Sequence, residues 1–261
     1  NYVLGDPRVK FDLKKWEPIV LLPRGNVMYS RPELGLKGLA PKAMVEKLRT
    51  FPKEALVHGG KTPTSSEINK LMSYNLLGVD LKIVFGMKGN GPMALAFERG
   101  EFTLMFDNSL SYKNNRKHFR DSGIAVELFT FGAPDANGKW KDANGKWLRD
   151  PTWPKIPTYY EVYEEWSGKS FDGPQAKATL GLIRVGVAAN KAYLLPNGAD
   201  KGALKAWRQS TRAIFKDPKF IAKREKILGK FPVTVGEAAR KAMLQAITLA
   251  PAEKKWIKSY F

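Results

Sequence analysis

Short apolar runs alternate with amphipathic stretches along the first hundred or so residues, and the two kinds of segment have different periods. Ile19-Val20-Leu21-Leu22 reads as a buried strand stopped by Pro23, and Val27-Met28-Tyr29 as a second strand. From Pro41 to Leu48 the apolar positions Ala43, Met44, Val45 and Leu48 recur at helical spacing behind a first-turn proline. Ala55-Leu56-Val57 is then a short strand, and Thr64 to Leu77 a helix with Ile68, Leu71, Met72 and Leu76 on one face. The order repeats with a strand from Leu81 to Phe85, a loop from Gly86 to Gly91, a helix from Pro92 to Arg99 and a strand from Phe102 to Phe106. Strands alternating with helices at this spacing predict an α/β fold with a parallel sheet.

Residues 132–157 break the pattern with Gly, Pro, Asn and Trp, and hold a tandem copy, Asp135 to Trp140 and Asp142 to Trp147, each reading Asp-Ala-Asn-Gly-Lys-Trp. The two Asn-Gly pairs predict successive tight turns or a hairpin in a surface insertion. The Asp-x-Asn-Gly start resembles a calcium loop, but Lys139 and Lys146 stand where oxygen ligands are needed and no Glu closes either loop. Beyond it, Leu182 to Val187 reads as a strand, followed by helices over Lys201 to Phe215, Pro218 to Leu228 and Gly236 to Leu249, and a tail carrying Trp256. On the first of these helices Leu204, Trp207, Thr211 and Ile214 form the expected inner stripe, with Lys201, Lys205, Arg208 and Arg212 on a basic one. No aromatics interleave with that basic stripe, which favours a solvated face over a nucleic-acid groove.

Composition narrows the chemistry. The 261 residues are 43% apolar and carry 44 Lys and Arg against 25 Asp and Glu, a net charge of +19 that favours an anionic partner. No cysteine is present, which removes disulfides, thiolate metal sites and thiol nucleophiles. His58 and His118 are the only imidazoles and lack zinc-site spacing. No apolar run approaches the roughly 20 residues of a membrane-spanning helix, and the first residue is Asn1, as in a processed or truncated product. No cofactor is expected.

One stretch mimics a nucleotide site: Ala55 to Thr62 fits [A/G]-x-x-x-x-G-K-[S/T], and the later run Phe102 to Phe106 ends in Asp107, as a magnesium-binding strand does. The register is wrong, because the apolar run lies inside the loop pattern instead of before it, and Pro63 pushes Thr62 away from the first helical turn. What remains is an anion cradle of Gly59, Gly60, Lys61, Thr62, Thr64, Ser65 and Ser66 at the start of a helix, or else an ordinary capped helix behind a glycine turn. Asn90, in the second glycine-rich loop, would lie along the same carboxyl edge of the sheet.

The run from Lys82 to Asn108 resembles the segment Y-K-G…A-L…G-E-V-D-x-M-F-D-N of the tripartite tricarboxylate transporter receptors, also called Bug proteins. Pro32 to Leu39, Val57 to Ser66, Ile156 to Glu161, Leu195 to Gly198 and Phe215 to Phe220 match in the same order, over most of the chain. The resemblance implies a periplasmic-binding-protein-like two-lobe α/β fold, a periplasmic location, and a small organic anion bearing a carboxylate between the lobes, with membrane transporter subunits as partners. It assigns residues 1–26 and 183–261 to the first lobe and 27–182 to the second, with 132–157 inserted, so that the second lobe is complete and the first partial. Asn1 then aligns roughly ninety residues into a typical member. It adds Asp107 and Asn108, following a strand near the cleft, to the candidate site. Lys61 and Pro63 depart from the family's small residues, and Glu67 stands near where many members have His.

Two functions follow from the residues and the resemblance together: a non-catalytic receptor for a carboxylate, or a basic accessory or scaffold subunit docked on an acidic protein complex or on anionic lipid. Nucleic acid is not an expected partner. Catalysis is not expected either, since the histidines have no evident partners and no G-x-S-x-G elbow occurs.

Overall fold

A computed structural model describes residues 1–260. In chain order its elements are β1 (Glu17–Leu22), β2 (Asn26–Ser30), α1 (Pro41–Thr50), β3 (Val57–Gly59), α2 (Ile68–Leu76), β4 (Lys82–Val84), α3 (Asn90–Glu98) and β5 (Leu104–Asn108). There follow α4 (Ser109–Asn115), α5 (Lys117–Asp121), β6 (Val126–Thr130), α6 (Tyr159–Ser167), α7 (Pro174–Val187), β7 (Lys191–Leu195), α8 (Lys201–Ile214), α9 (Pro218–Leu228), β8 (Thr234–Val235), α10 (Glu237–Ile247) and α11 (Pro251–Lys258).

Two sheets organise the α/β molecule: a three-stranded one in the order β7-β1-β8, and a five-stranded one in the order β4-β3-β5-β2-β6. The larger sheet is mixed, not parallel as the helix–strand alternation predicts. β3 runs parallel to β4 and β5, whereas β2 pairs antiparallel with both β5 and β6. The reason is that β2 is not fed by a helical crossover but follows β1 after Pro23, Arg24 and Gly25 and is inserted between strands that come later. At that crossing the chain is squeezed: a Cβ on Gly25 would lie 1.9 Å from Asp150 Oδ2 and 2.5 Å from Ser109 Oγ.

The main core lies on the larger sheet and is aromatic, with Tyr29, Tyr112, Phe97, Phe119, Phe129, Phe131, Tyr159 and Tyr160 all buried. The stretch at 132–157 is more than a surface insertion. Trp140 is buried, and the half-buried Trp147 stacks 4.3 Å from Tyr160 and donates from Nε1 to Glu164 at 2.9 Å. Each Asp-Ala-Asn-Gly-Lys loop is closed by its own aspartate. Asp135 Oδ1 accepts from the Asn137 and Lys139 amides at 2.8 Å, and Asp142 Oδ1 accepts from the Asn144 and Lys146 amides at 2.8 and 2.9 Å. Gly138 and Gly145, at φ of 80° and 77°, take the left-handed position that these turns require.

Leu182 to Val187 is helical, not a strand, and forms the second half of α7. Its β-branched residues argue for a strand in isolation, but α7 is buried on most sides against α2, α10 and α11, which blurs the helical period and overrides propensity. The expected division at residue 182 therefore falls inside a helix. The C-terminal tail also contains a helix, α11, whose Ile257 is buried beside Leu4 and Leu182.

Helix α8 is rotated from its expected inner stripe: Leu204 and Thr211 are half-buried, but Trp207 and Ile214 turn outward. None of its residues is buried; Trp207 is 57% exposed and Ile214 49%. Arg208 turns inward instead, donating to the Pro18 carbonyl at 3.0–3.1 Å, to Glu17 at 3.0 Å and to Glu237 at 2.8 Å. The exposed Trp207, Ile214, Ile221, Ile227 and Tyr193 leave this end of the molecule rich in uncovered apolar groups.

Candidate functional site

The strand directions of the larger sheet bring four chain ends to one edge. β3, β4 and β5 are parallel, and β6 shares the direction of β5 because both oppose β2. The loops after Gly59, Val84, Asn108 and Thr130 therefore open on the same side, where Asn26 enters opposite Asn108. This is the carboxyl edge at which α/β sheets hold ligands.

The loop after β3 differs in detail from a bare helix start. The strand is Val57–Gly59, two residues later than Ala55–Val57, and α2 begins at Ile68 instead of Thr64. Pro63 disfavours helical backbone at Thr62, and the hydroxyl side chains compete for the amides that would begin a helix. Thr62 N–H donates to Ser65 Oγ at 3.2 Å, and the Thr62 carbonyl accepts from the Ser65 amide at 3.1 Å and its hydroxyl at 2.6 Å. Gly60 N–H donates to the Val84 carbonyl at 2.9 Å, while the carbonyls of Gly60 and Lys61 accept from Met87 and Gly86 at 3.1 Å. Close packing explains the glycine pair, since a Cβ on Gly59 would lie 2.4 Å from the Phe102 ring and one on Gly60 3.0 Å from the Phe85 ring.

The side chains converge on an anion from within the chain. Glu67 is wholly buried and accepts from the Ser65 hydroxyl, from the Ser66 hydroxyl at 3.3 Å and from Lys61 Nζ at 3.3 Å. Burial alone would raise its pKa, but Ser65 and Lys61 outweigh this and leave it below the usual carboxylate range. Lys70, also buried, donates to the Ser66 carbonyl at 3.0 Å and lies 4.2 Å over the Phe106 ring. Burial lowers its pKa to about 7. His58 stacks on the other partner of this group, the Phe106 ring, at 5.9 Å, with Nδ1 2.6 Å from the Gly59 carbonyl and Nε2 without a partner. Burial drops its pKa to about 4, so it is neutral at physiological pH.

Lys70 and His58 are members that sequence reasoning missed, and Glu67 enters it only as a departure from the family's His. The available signal was Lys70 three residues after Glu67, within a helix start otherwise expected to face the core. The predicted cradle from Gly59 to Ser66, Thr64 included, is contiguous, but its Gly60 and Thr62 amides are already bonded within the chain.

Asn90 begins α3 and donates to the Phe106 carbonyl at 3.3 Å, so it reaches the same strand. Asp107 does not follow a strand but is part of β5, and alternation directs it to the opposite face from Phe106. There it is buried, accepting from Tyr29 Oη at 2.8 Å and from Arg116 Nε at 3.1 Å. Burial raises its pKa, against the opposing pull of Arg116 and these hydrogen bonds. Asn108 ends the strand and caps α4, accepting from the Ser111 amide at 2.9 Å. Asp107 and Asn108 are thus occupied by structural contacts, and Asp107 stands apart from the cradle. Among the described residues no group of three or more His, Cys, Asp or Glu is placed to hold a metal ion.

Two sheets joined at Pro23–Gly25, with helices packed around them, match known binding proteins over nearly the whole chain. Rpa4515 from R. palustris, solved with adipate, aligns over 98% of this chain and 74% of its own, with a TM-score of 0.60 and 15% identity. MatC from Rhodopseudomonas palustris with bound malate aligns over 98% and 74%, at 0.56 and 16%. The periplasmic binding protein BugD aligns over 95% and 71%, at 0.56 and 18%. The fold is that of the Bug-type solute-binding proteins. No protein-family model matches the chain, and no curated protein matches it in sequence. Within the Bug-type fold, the loop from Gly59 to Ser66 sits at the carboxyl edge of the larger sheet. No helix among the described residues is long and apolar enough to cross a membrane.

Proposed function

We propose that this chain is a non-catalytic solute-binding protein that holds a small carboxylate-bearing molecule in the loop from Gly59 to Ser66. The observation that carries the reading is the chemistry of that loop: Ser65, Ser66 and Lys61 already converge on a carboxylate, that of Glu67. Adipate and malate in two proteins of the same fold support the ligand class. The five-stranded and three-stranded sheets, each with its helices, would then form two lobes that close on the ligand by a hinge motion. Asn90 and Asn108 flank the loop along the sheet edge, and Asp107 holds Arg116 on the opposite face of the sheet. A periplasmic location and membrane transporter subunits as partners follow from the same reading.

Calorimetric titration of the purified protein with a panel of di- and tricarboxylates is the test. Saturable heat is expected, and it should be abolished in a variant combining Ser65→Ala with Gly60→Pro. Unchanged affinity in that variant would exclude the loop as the site. A second reading, a basic accessory or scaffold subunit, is favoured by the exposed Trp207, Ile214 and Ile221 beside a net charge of +19. It predicts no carboxylate binding and stability only within a complex.

A further inference from the structure

We infer that Glu67 is a tethered competitor: its carboxylate fills the place in the cradle that an incoming carboxylate must take, and it sets the affinity and selectivity of the site. For ligands this rests on the solute-binding reading above; the occupancy of the cradle is tested independently of it.

Glu67 precedes the first turn of α2 but makes no side-chain cap of the ordinary kind. It folds back on the loop, where every side-chain partner is one that would serve a bound anion: two hydroxyls and an ammonium. The loop above it is partly exposed at Lys61, Thr64 and Ser65, whereas the carboxylate beneath is wholly buried. One further buried group stands at this place. Lys70, wholly buried, donates to the Ser66 carbonyl at 3.0 Å and is drawn to Glu67 by charge.

A group tied to the chain competes at an effective concentration of about millimolar or more. A free monocarboxylate would therefore displace Glu67 poorly. A dicarboxylate would succeed only where its second end gains contacts along the sheet edge. Neutral analogues would gain nothing from the hydroxyls and ammonium already satisfied by Glu67.

The experiment uses Glu67→Ala, which vacates the cradle, and Glu67→Gln, which keeps its shape without the charge. Formate is added to each and to the wild type while the midpoint of thermal unfolding is followed, with chloride at equal ionic strength as the control. Formate is expected to raise the midpoint of Glu67→Ala and to leave the wild type unmoved. An equal response in both, or in neither, overturns the inference. Should Glu67→Ala fail to fold, Glu67→Gln decides: its affinity for adipate or malate is expected to exceed that of the wild type by about tenfold or more, and equal or weaker binding overturns the inference. If formate rescues Glu67→Ala while no protein binds any di- or tricarboxylate, the competitor stands and the solute-binding reading fails. If the wild type binds and formate separates nothing, the reverse holds.

Discussion

Lys70 buries its amino group almost wholly, and its pH behaviour follows from that. The ordinary lysine value of 10.5 falls to about 7 in the folded chain through burial, with Glu67 opposing and Lys61 adding to the fall. Between these values the unfolded chain holds a proton that the native chain has released, so native stability gains as pH rises from about 7 towards 10.5. Below about 7 the burial penalty is present in full. Lys70→Met removes the titration while filling the same volume. Denaturant unfolding as a function of pH should show the wild type less stable than Lys70→Met near pH 6, with the gap narrowing steadily above neutrality. A constant gap from pH 6 to 10 would mean that Lys70 keeps its ordinary pKa and reaches solvent.

At the scale of elements, α8 shows where sequence periodicity misleads. Leu204, Trp207, Thr211 and Ile214 make a well-formed apolar stripe, yet the helix is turned so that Arg208 shares the half-buried side with Leu204 and Thr211 while Trp207 and Ile214 are exposed. Arg208→Ala loses hydrogen bonds to Glu17, Glu237 and the Pro18 carbonyl, and is expected to cost about 2 kcal/mol. Trp207→Ala, on the exposed face, should change stability by less than about 0.5 kcal/mol. The opposite ranking in chemical denaturation would return the tryptophan to the interior.

The same contrast explains how much of the molecule was legible beforehand. α1 and α9 were readable because each begins with a proline and ends near its last periodic residue, so local signals and tertiary placement agree. β1 and β2 were readable as short apolar runs bounded by Pro23 and polar residues. The mixed order of the larger sheet was not, because pairing partners far apart in sequence leave no periodic trace in either strand. At the site, the hydroxyl loop could be read from composition, while the burial of Glu67 and Lys70 beside it is set by tertiary packing. Gly25 belongs to the same category. Nothing in Arg24-Gly25-Asn26 announces a crossing between two sheets, but a methyl there would meet Asp150, Ser109 and the Phe231 ring at once. Gly25→Ala is therefore expected to cost about 1–3 kcal/mol, read as a lower denaturant midpoint with little change in slope. A midpoint within error of the wild type would show that the crossing is more open than these contacts indicate.

For the whole molecule, net charge and site chemistry point the same way. A net charge of +19 makes a positive field around the chain, while within the cradle Glu67 offsets the charge of Lys61. The field should therefore act on the approach of a dianion more than on its retention, because distant surface charges are screened within a Debye length of about 8 Å at physiological salt whereas contacts inside the loop are not. Stopped-flow binding of a dicarboxylate is expected to show an association rate constant falling several-fold between about 10 and 150 mM salt. The dissociation rate constant should stay nearly constant, and Glu67→Gln should shift the affinity without altering this salt dependence. A salt effect carried mainly by dissociation would place the decisive charges inside the cradle and would assign the surplus of lysine and arginine to another surface, for which the exposed end at α8 and α9 is the available candidate.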